Sequence, residues 1–523
     1  MAIMLAGRLA PLRPQAEEEV FAGRIWIGDD GLVAAVAKSG QRPPAGAKAD
    51  RHIDVGQAFI YPGLIDLHSH LSYNTLPLWV EPTQKTAYLH HDIWPKEASY
   101  AGQISWPAWT LLSRAPESVL AYVQVRALAG GTTTIQGWPN ASRKASNELV
   151  RSVDDDKVGP LNDPVMVSAL TQDVGALGAR AAGLAKGKLF IYHCAEGQRG
   201  SIVVREFENL RIAGCLQPGL AAIHCCALAD SDFGQWSHAS GDGNHMAGSV
   251  VWSPFSNLWL YGSTTDVASV RSHQLAVCLG SDWGPSGTKS VLGEIKVARL
   301  WSDRQGWNLT DHDLALMVTA TPGDTIARAW QRPLGRLIAG AFGDAVVIAA
   351  RKTDAWANLV AARESDVMLV VVGGRARFGN KDLMRAAGES LTTSVPIGKA
   401  VRHVALRRPD DGTKAWAWTD VVKRLNAVRH EAAVTPPVGA QGRRAARRVL
   451  TSAMAGDPPG TPPLVARPDM PGAPGQLAGP PPPGQTVQIP PLDPIYHNSR
   501  WLSSIKGRGF HGGALDALRE FYR

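Results

Sequence analysis

From residue 61 to about residue 330, short apolar runs alternate with helical patterns. The runs are LIDLHSH, GTTTIQGW (131–138), DPVMVSAL (163–170), KLFIYHC (188–194), LAAIHCC (220–226), GSVVWSP (248–254) and LAVCLGS (275–281). Runs this short are strands, and strands apolar on both faces must be covered on both. That combination predicts a parallel sheet crossed by helices. A stretch of about 270 residues built this way suits a (β/α)8 barrel. Seven strands are evident. An eighth is not, and the interval between 138 and 188 leaves little room for it.

The flanks read differently. Residues 1–60 hold short strands, IMLAGRLA, EVFAGRIWIG, GLVAAVA and HIDVGQAFI, with turns such as Asp30-Gly31 between them. Strands return over 331–385, in LIAGAFGDAVVIAA and DVMLVVVGGRARFG. The two flanks predict two parts of one small β-sandwich domain, so the α/β barrel is an insertion within it. Residues 386–523 form a basic, Pro-rich C-terminal extension. There VVKRLNAVRHEAA and QGRRAARRVLTSA read as short basic helices. GDPPGTPPLVARPDMPGAPGQLAGPPPPG reads as a linker, unstructured over about 457–492. The last segment, from IYHNSRWLSS onward, reads as a short helix that docks back.

Composition excludes several classes. No run of about 18 apolar residues exists to span a membrane. The start, MAIMLAGRLAPLRP, is a poor signal peptide. Five cysteines in 523 residues argue against a disulfide framework and for a reducing, cytoplasmic setting. Basic and acidic residues balance up to residue 385, so the net charge of +8 comes entirely from the extension. The part before residue 386 has no basic footprint for nucleic acid. Arg443, Arg444, Arg447 and Arg448 form a basic cluster that reads as a solvated helical face.

Chemistry gathers where the strands end. In a strand, residues two apart share a face, so His68 and His70 point together into the barrel. They sit at its C-terminal end, where barrel enzymes keep their sites. His193, His224 and Asp282 end three further apolar runs. Buried polar groups cost a few kcal/mol each unless paired, and a divalent cation would supply the shared partner. Cys194, Cys225 and Cys226 beside them read as core filler. His90, His91 and His245 read as loop or surface residues.

PGLIDLHSH, the His193-x-x-Glu196 pair, His224 and the Gly-Ser-Asp282 segment together resemble the amidohydrolase superfamily. WSPFSNLWLYG (252–262) is similar to the Ser-Asn segment of its cytosine deaminase and chlorohydrolase branch. The resemblance covers about residues 1–385. It implies that His68, His70, His193 and Asp282 hold one divalent metal ion, Zn2+ or alternatively Fe2+, which also binds a water. It implies that Glu196 shuttles protons, that His224 orients the water or polarises the substrate, and that Asp282 also takes the water proton. Relatives with two metals carry a bridging lysine at a middle strand end. No lysine ends a middle strand here, since Lys188 begins one and Lys157 lies in a charged loop, so one metal is expected. Trp252 and Ser253 stand where many chlorohydrolase-like sequences place a histidine, which argues against a triazine substrate. Trp79, Trp94, Trp106 and Trp109 form either an aromatic lid over a flat ring or ordinary packing.

The implied activity is hydrolysis of a non-peptide C–N bond, foremost deamination of a heterocyclic amine by metal-activated water. Cyclic amide ring opening and dechlorination are the alternatives within the family. A catalytically silent scaffold with a basic tail is the alternative outside it. The expected partner is a small ring compound. No membrane is expected, and a homo-oligomer is compatible with the sequence.

Overall fold

A computed structural model describes residues 1–45, 47–138, 149–154, 158–169, 171–240, 247–434 and 498–523. The linker expected over about 457–492, the arginine cluster at 443–448 and His245 lie outside the described residues.

The chain opens with β1 (Ile3–Leu9), β2 (Phe21–Ile27), β3 (Val33–Lys38) and the long β4 (Arg51–Pro62). A single residue, Gly63, then separates β4 from β5 (Leu64–Asp66). A side chain on Gly63 would collide with Thr133, so the step from one sheet to the next requires glycine.

After β5 come β6 (Thr132–Ile135), β7 (Arg151–Ser152), β8 (Val165–Ser168), β9 (Leu189–Cys194), β10 (Leu220–His224), β11 (Ser249–Trp252) and β12 (Ala276–Leu279). Strands β5, β6 and β7 form one parallel sheet, and β8 to β12 form a second, also parallel. A parallel bridge between Ser69 and Asp282 joins the end of β5 to the end of β12. The expected alternation of buried parallel strands and helices is therefore present, with eight strands in two sheets among the described residues. The strand that the sequence hides is β7. It has two residues, both polar and half-buried, and it pairs with Thr134 and Ile135. An apolar run cannot mark it.

The remaining strands are β13 (Ala345–Ile348), β14 (Val367–Val372), β15 (Arg375–Gly379), β16 (Thr393–Ile397) and β17 (Ala400–Val404). They join β1 to β4 in one nine-stranded sheet, ordered β16-β17-β15-β14-β13-β4-β1-β2-β3. A sandwich of two sheets is expected from the sequence; the hydrogen bonding instead makes one continuous sheet. The cause is β4, which pairs with β1 along one edge and β13 along the other. The sheet also continues past residue 385. Its last hairpin carries Pro396 in the edge strand β16, where a missing N–H is tolerated but the strand signal is weakened.

Residues 498–523 do fold back. The helix Ser499–Ile505 and the 3-10 turn Ala514–Tyr522 bury Trp501, Leu502, Ile505, Leu515 and Leu518. Trp501 lies 5.2 Å from the Phe255 ring, and Arg363 Nε donates to the Phe521 carbonyl at 2.8 Å. No helix among the described residues is long and apolar enough to cross a membrane.

Candidate metal centre and active site

The ends of β5, β9, β10 and β12 bring His68, His70, His193, His224 and Asp282 together. All five side chains are buried, as is Glu196. The backbone is bent at this point. Ala195, His224, Cys225 and Asp282 have φ of 53°, 69°, 55° and 56°, a left-handed conformation that costs non-glycine residues of order 1 kcal/mol or more. Neighbouring bonds enforce it. The Ala195 N–H donates to Glu206 Oε2 at 2.7 Å, the Cys225 N–H to the Cys194 carbonyl at 2.9 Å, and the Asp282 N–H to the His68 carbonyl at 2.9 Å. The His224 carbonyl accepts from the Thr265 hydroxyl. These turns aim His224 and Asp282 towards the common centre.

His68 is central. Its ring centroid lies 4.7 Å from His193, 4.8 Å from His70 and 5.1 Å from His224. Asp282 Oδ1 lies 3.2 Å from His68 Nε2 and 3.5 Å from His70 Nε2, and His70 Nε2 lies 3.3 Å from His193 Nε2. A tetrahedral ion with ligands at roughly 2.0–2.2 Å sets ligand-to-ligand edges of roughly 3.3–3.6 Å. The observed spacings fit those edges. Asp282 Oδ1 is buried and accepts no hydrogen bond among the described residues.

Electrostatics agree with a ligand set. Burial, reinforced by the neighbouring imidazoles, pushes His193 and His224 well below the ordinary histidine range, so both are neutral at pH 7. Burial pushes the Asp282 carboxyl up, but the surrounding imidazoles, His68 foremost, outweigh it and hold it well below the carboxylate range. Asp66 is also buried, which raises it to about 7 against the bonds it accepts from Ser281 and His68. It shares the two-residue spacing of His68 and His70, yet it is engaged by the Ser281 N–H and hydroxyl. It ties β5 to the Asp282 turn.

Glu196 stands beside this cluster, with Oε2 3.6 Å from His224 Nε2. Burial raises it to about 7; the His91 charge pulls it down and the Asp282 charge pushes it up. His91 is neither isolated nor on the surface, in contrast to the reading from sequence. It is buried, with Nε2 2.9 Å from Glu206 Oε1, and its N–H donates to the Glu196 carbonyl at 3.1 Å. Burial alone would lower His91; its bonds to Asp92 and Glu206 outweigh that and raise it to about 11. The pair is a charged strut under the Ala195–Glu196 turn. Cys194, Cys225 and Cys226 are buried free thiols in this wall.

Asn257 escapes sequence reasoning except as part of a quoted segment. It lies on the helix Pro254–Tyr261, every residue of which is buried. Trp252 Nε1 donates to Thr264 Oγ1 at 2.7 Å, Thr264 donates to Asn257 Oδ1 at 3.0 Å, and Asn257 Nδ2 donates to His224 Nδ1 at 3.0 Å. The Asn257 amide nitrogen can only donate, which fixes the last link of the chain. His224 Nδ1 accepts, and its hydrogen sits on Nε2. Trp252, at the position where a histidine is common, heads this chain. Trp79 and Trp94 are packed: Trp79 lies parallel to Tyr88 at 6.3 Å, and Trp94 lies 5.4 Å from Trp283.

No family model matches the chain. A 5-methylthioadenosine/S-adenosylhomocysteine deaminase of Moorella thermoacetica is 25% identical over 416 residues, 71% of this chain and 94% of that protein. An adenosine deaminase of Xanthomonas campestris, solved with bound zinc, aligns with a TM-score of 0.57 at 15% identity, covering 83% of this chain and 99% of that one. A triazine hydrolase variant aligns with a TM-score of 0.56 at 17% identity, covering 74% and 98%. The likeness spans nearly the whole of each relative. In this chain the histidines and the aspartate stand at the ends of four parallel strands, β5, β9, β10 and β12, in chain order. The curated relatives, together with the fold shared with the solved structures, point to the amidohydrolase superfamily.

Proposed function

We propose that this chain is a metal-dependent hydrolase that deaminates a heterocyclic amine, cleaving a C–N bond outside any peptide. The observation that carries the reading is the convergence of the three imidazoles of His68, His70 and His193 with the ionised Asp282 carboxylate beside a buried acid, Glu196. We read the two parallel sheets as arcs of one (β/α)8 barrel over residues 61–330, with the site at the C-terminal ends of its strands.

His68, His70, His193 and Asp282 are the residues that would hold the ion. Three imidazoles and a carboxylate suit zinc, and ferrous iron also accepts them. When bound, a divalent cation supplies Lewis acidity that lowers the pKa of a water towards about 7. His224 takes no part as a ligand, because its Nδ1 is occupied by Asn257 and its Nε2 bears hydrogen. It donates that hydrogen bond to the substrate or the water. Asp282 is ionised and takes up a proton. Glu196, near 7, exchanges protons at neutral pH and delivers one to the departing amine.

The test is ammonia release by the purified chain, with metal content measured alongside. The panel begins with 5-methylthioadenosine, S-adenosylhomocysteine, adenosine and guanine, and continues with cyclic amides. Release from a ring amine with about one metal per chain is expected. Ring opening without ammonia moves the substrate to the cyclic amides. No turnover and no metal reduces the chain to a scaffold.

A further inference from the structure

Glu196 has two oxygens in different surroundings. Oε2 faces His224 at 3.6 Å. Oε1 accepts from the Tyr261 hydroxyl at 2.6 Å. That hydroxyl in turn accepts from Trp94 Nε1 at 2.9 Å. Trp94, Tyr261 and Glu196 are all buried. The indole N–H only donates, so the Tyr261 oxygen accepts from Trp94 while its own hydrogen is directed at Glu196 Oε1. We propose that Tyr261, oriented by Trp94, is a positioning residue that reserves Glu196 Oε1 and confines the working proton to Oε2, on the side of His224. This rests on the shuttle role given to Glu196 above.

The surroundings over-determine the placement. Tyr261 ends its helix, and Gly262 follows with a left-handed φ of 67°, so the side chain cannot shift along a continuing helix. Gln198 Nε2 donates to the Tyr261 carbonyl at 3.3 Å, and the Tyr88 N–H donates to the Leu260 carbonyl at 2.9 Å. Trp94 packs against Tyr100 at 5.5 Å and against Trp283, the neighbour of Asp282, at 5.4 Å. Asn257 and Tyr261 are four residues apart and share a helix face. One short helix thus sets where the hydrogen sits on His224 and, through Tyr261, which oxygen of Glu196 carries the proton.

The test is a double-mutant cycle of Tyr261→Phe with Glu196→Gln on the metal-loaded full chain. The probe is 5-methylthioadenosine, with S-adenosylhomocysteine, adenosine and guanine run beside it. Tyr261→Phe is expected to lower kcat by roughly 10- to 100-fold, with KM within about threefold and metal content unchanged. In the Glu196→Gln background it should change the residual rate by less than about twofold, because its effect passes through Glu196. Without substrate, the infrared difference spectrum of Tyr261→Phe should show a shifted carboxyl band that the Glu196→Gln background abolishes. Trp94→Phe should show the same pattern more weakly, and it decides the matter if Tyr261→Phe does not fold. Equal losses in both backgrounds, or an unmoved carboxyl band, overturn the proposal. If Glu196→Gln itself turns over normally, or no probe is turned over by the parent chain, the shuttle reading fails, and this proposal with it.

Discussion

Glu196 and His193 are three residues apart at one strand end, yet their roles separate cleanly under substitution. Glu196→Gln keeps the volume and removes the acid, so the variant should retain its metal and lose turnover by roughly 10²- to 10⁴-fold. His193→Ala removes a lone pair from the cluster, so metal is lost first and activity with it. Asp282→Asn should lose both in part, since in the proposed site it carries a charge for the ion and a site for a proton. Metal per chain read beside kcat distinguishes the three. Metal loss in Glu196→Gln as complete as in His193→Ala would make Glu196 a ligand. The tautomer of His224 allows a finer substitution. Asn257→Asp replaces the donor at His224 Nδ1 with an acceptor, which draws the hydrogen to Nδ1 and strips it from Nε2. The expected outcome is a kcat at least about tenfold lower with folding intact, read beside an Asn257→Ala control that loses less. Equal effects of the two would remove the tautomer argument.

At the scale of elements, legibility follows burial pattern. His68, His70, His193, His224 and Asp282 can be found in the sequence because each is a polar residue ending an apolar run. Asn257 and Tyr261 cannot, because the helix Pro254–Tyr261 is buried all round and no face of it stands out. His91 is hidden for another reason: its partner Glu206 is 115 positions away, a pairing no local spacing reveals. β7 is too short and too polar to register, and the edge strand β16 is masked by its proline. The helix Pro254–Tyr261 is also pinned at its start. Glu294 accepts from the Phe255 N–H at 3.1 Å and from the Thr288 N–H at 3.1 Å. Burial raises Glu294 from 4.5 to about 8, against those bonds. The folded chain therefore keeps a proton that the unfolded chain releases between those two values. Its contribution to stability falls as pH rises from about 4.5 to about 8 and is level above. The thermal midpoint of the parent chain minus that of Glu294→Gln should decline over this window. A difference that does not change with pH would show that Glu294 is ionised in the fold.

On the scale of the whole molecule, the C-terminal segment is connected to the chemistry through that same helix. Trp501 packs on Phe255, His511 lies 6.5 Å from the Trp259 ring, and the Phe510 backbone sits against Gly262. These contacts lie on the helix that carries Asn257 and Tyr261. The proposed metal ligands, by contrast, stand on or just beyond the ends of β5, β9 and β12 rather than on this helix. Removing residues 498–523 should therefore affect the two functions unequally. Each large apolar side chain that loses its cover costs roughly 1.5–3 kcal/mol, so a chain ending at 434 should melt several degrees lower. It should keep its metal, and its kcat should fall by about tenfold or more as Asn257 and Tyr261 lose their alignment. Proteolytic cleavage within 457–492 is a different event, because it leaves 498–523 available to stay docked, and activity should survive it. A synthetic peptide spanning 498–523, added to the shortened chain, should restore part of the lost rate without changing metal content. An unchanged kcat after truncation would show that the helix holds its own position, and loss of metal on truncation would place the segment's support at the ligands instead.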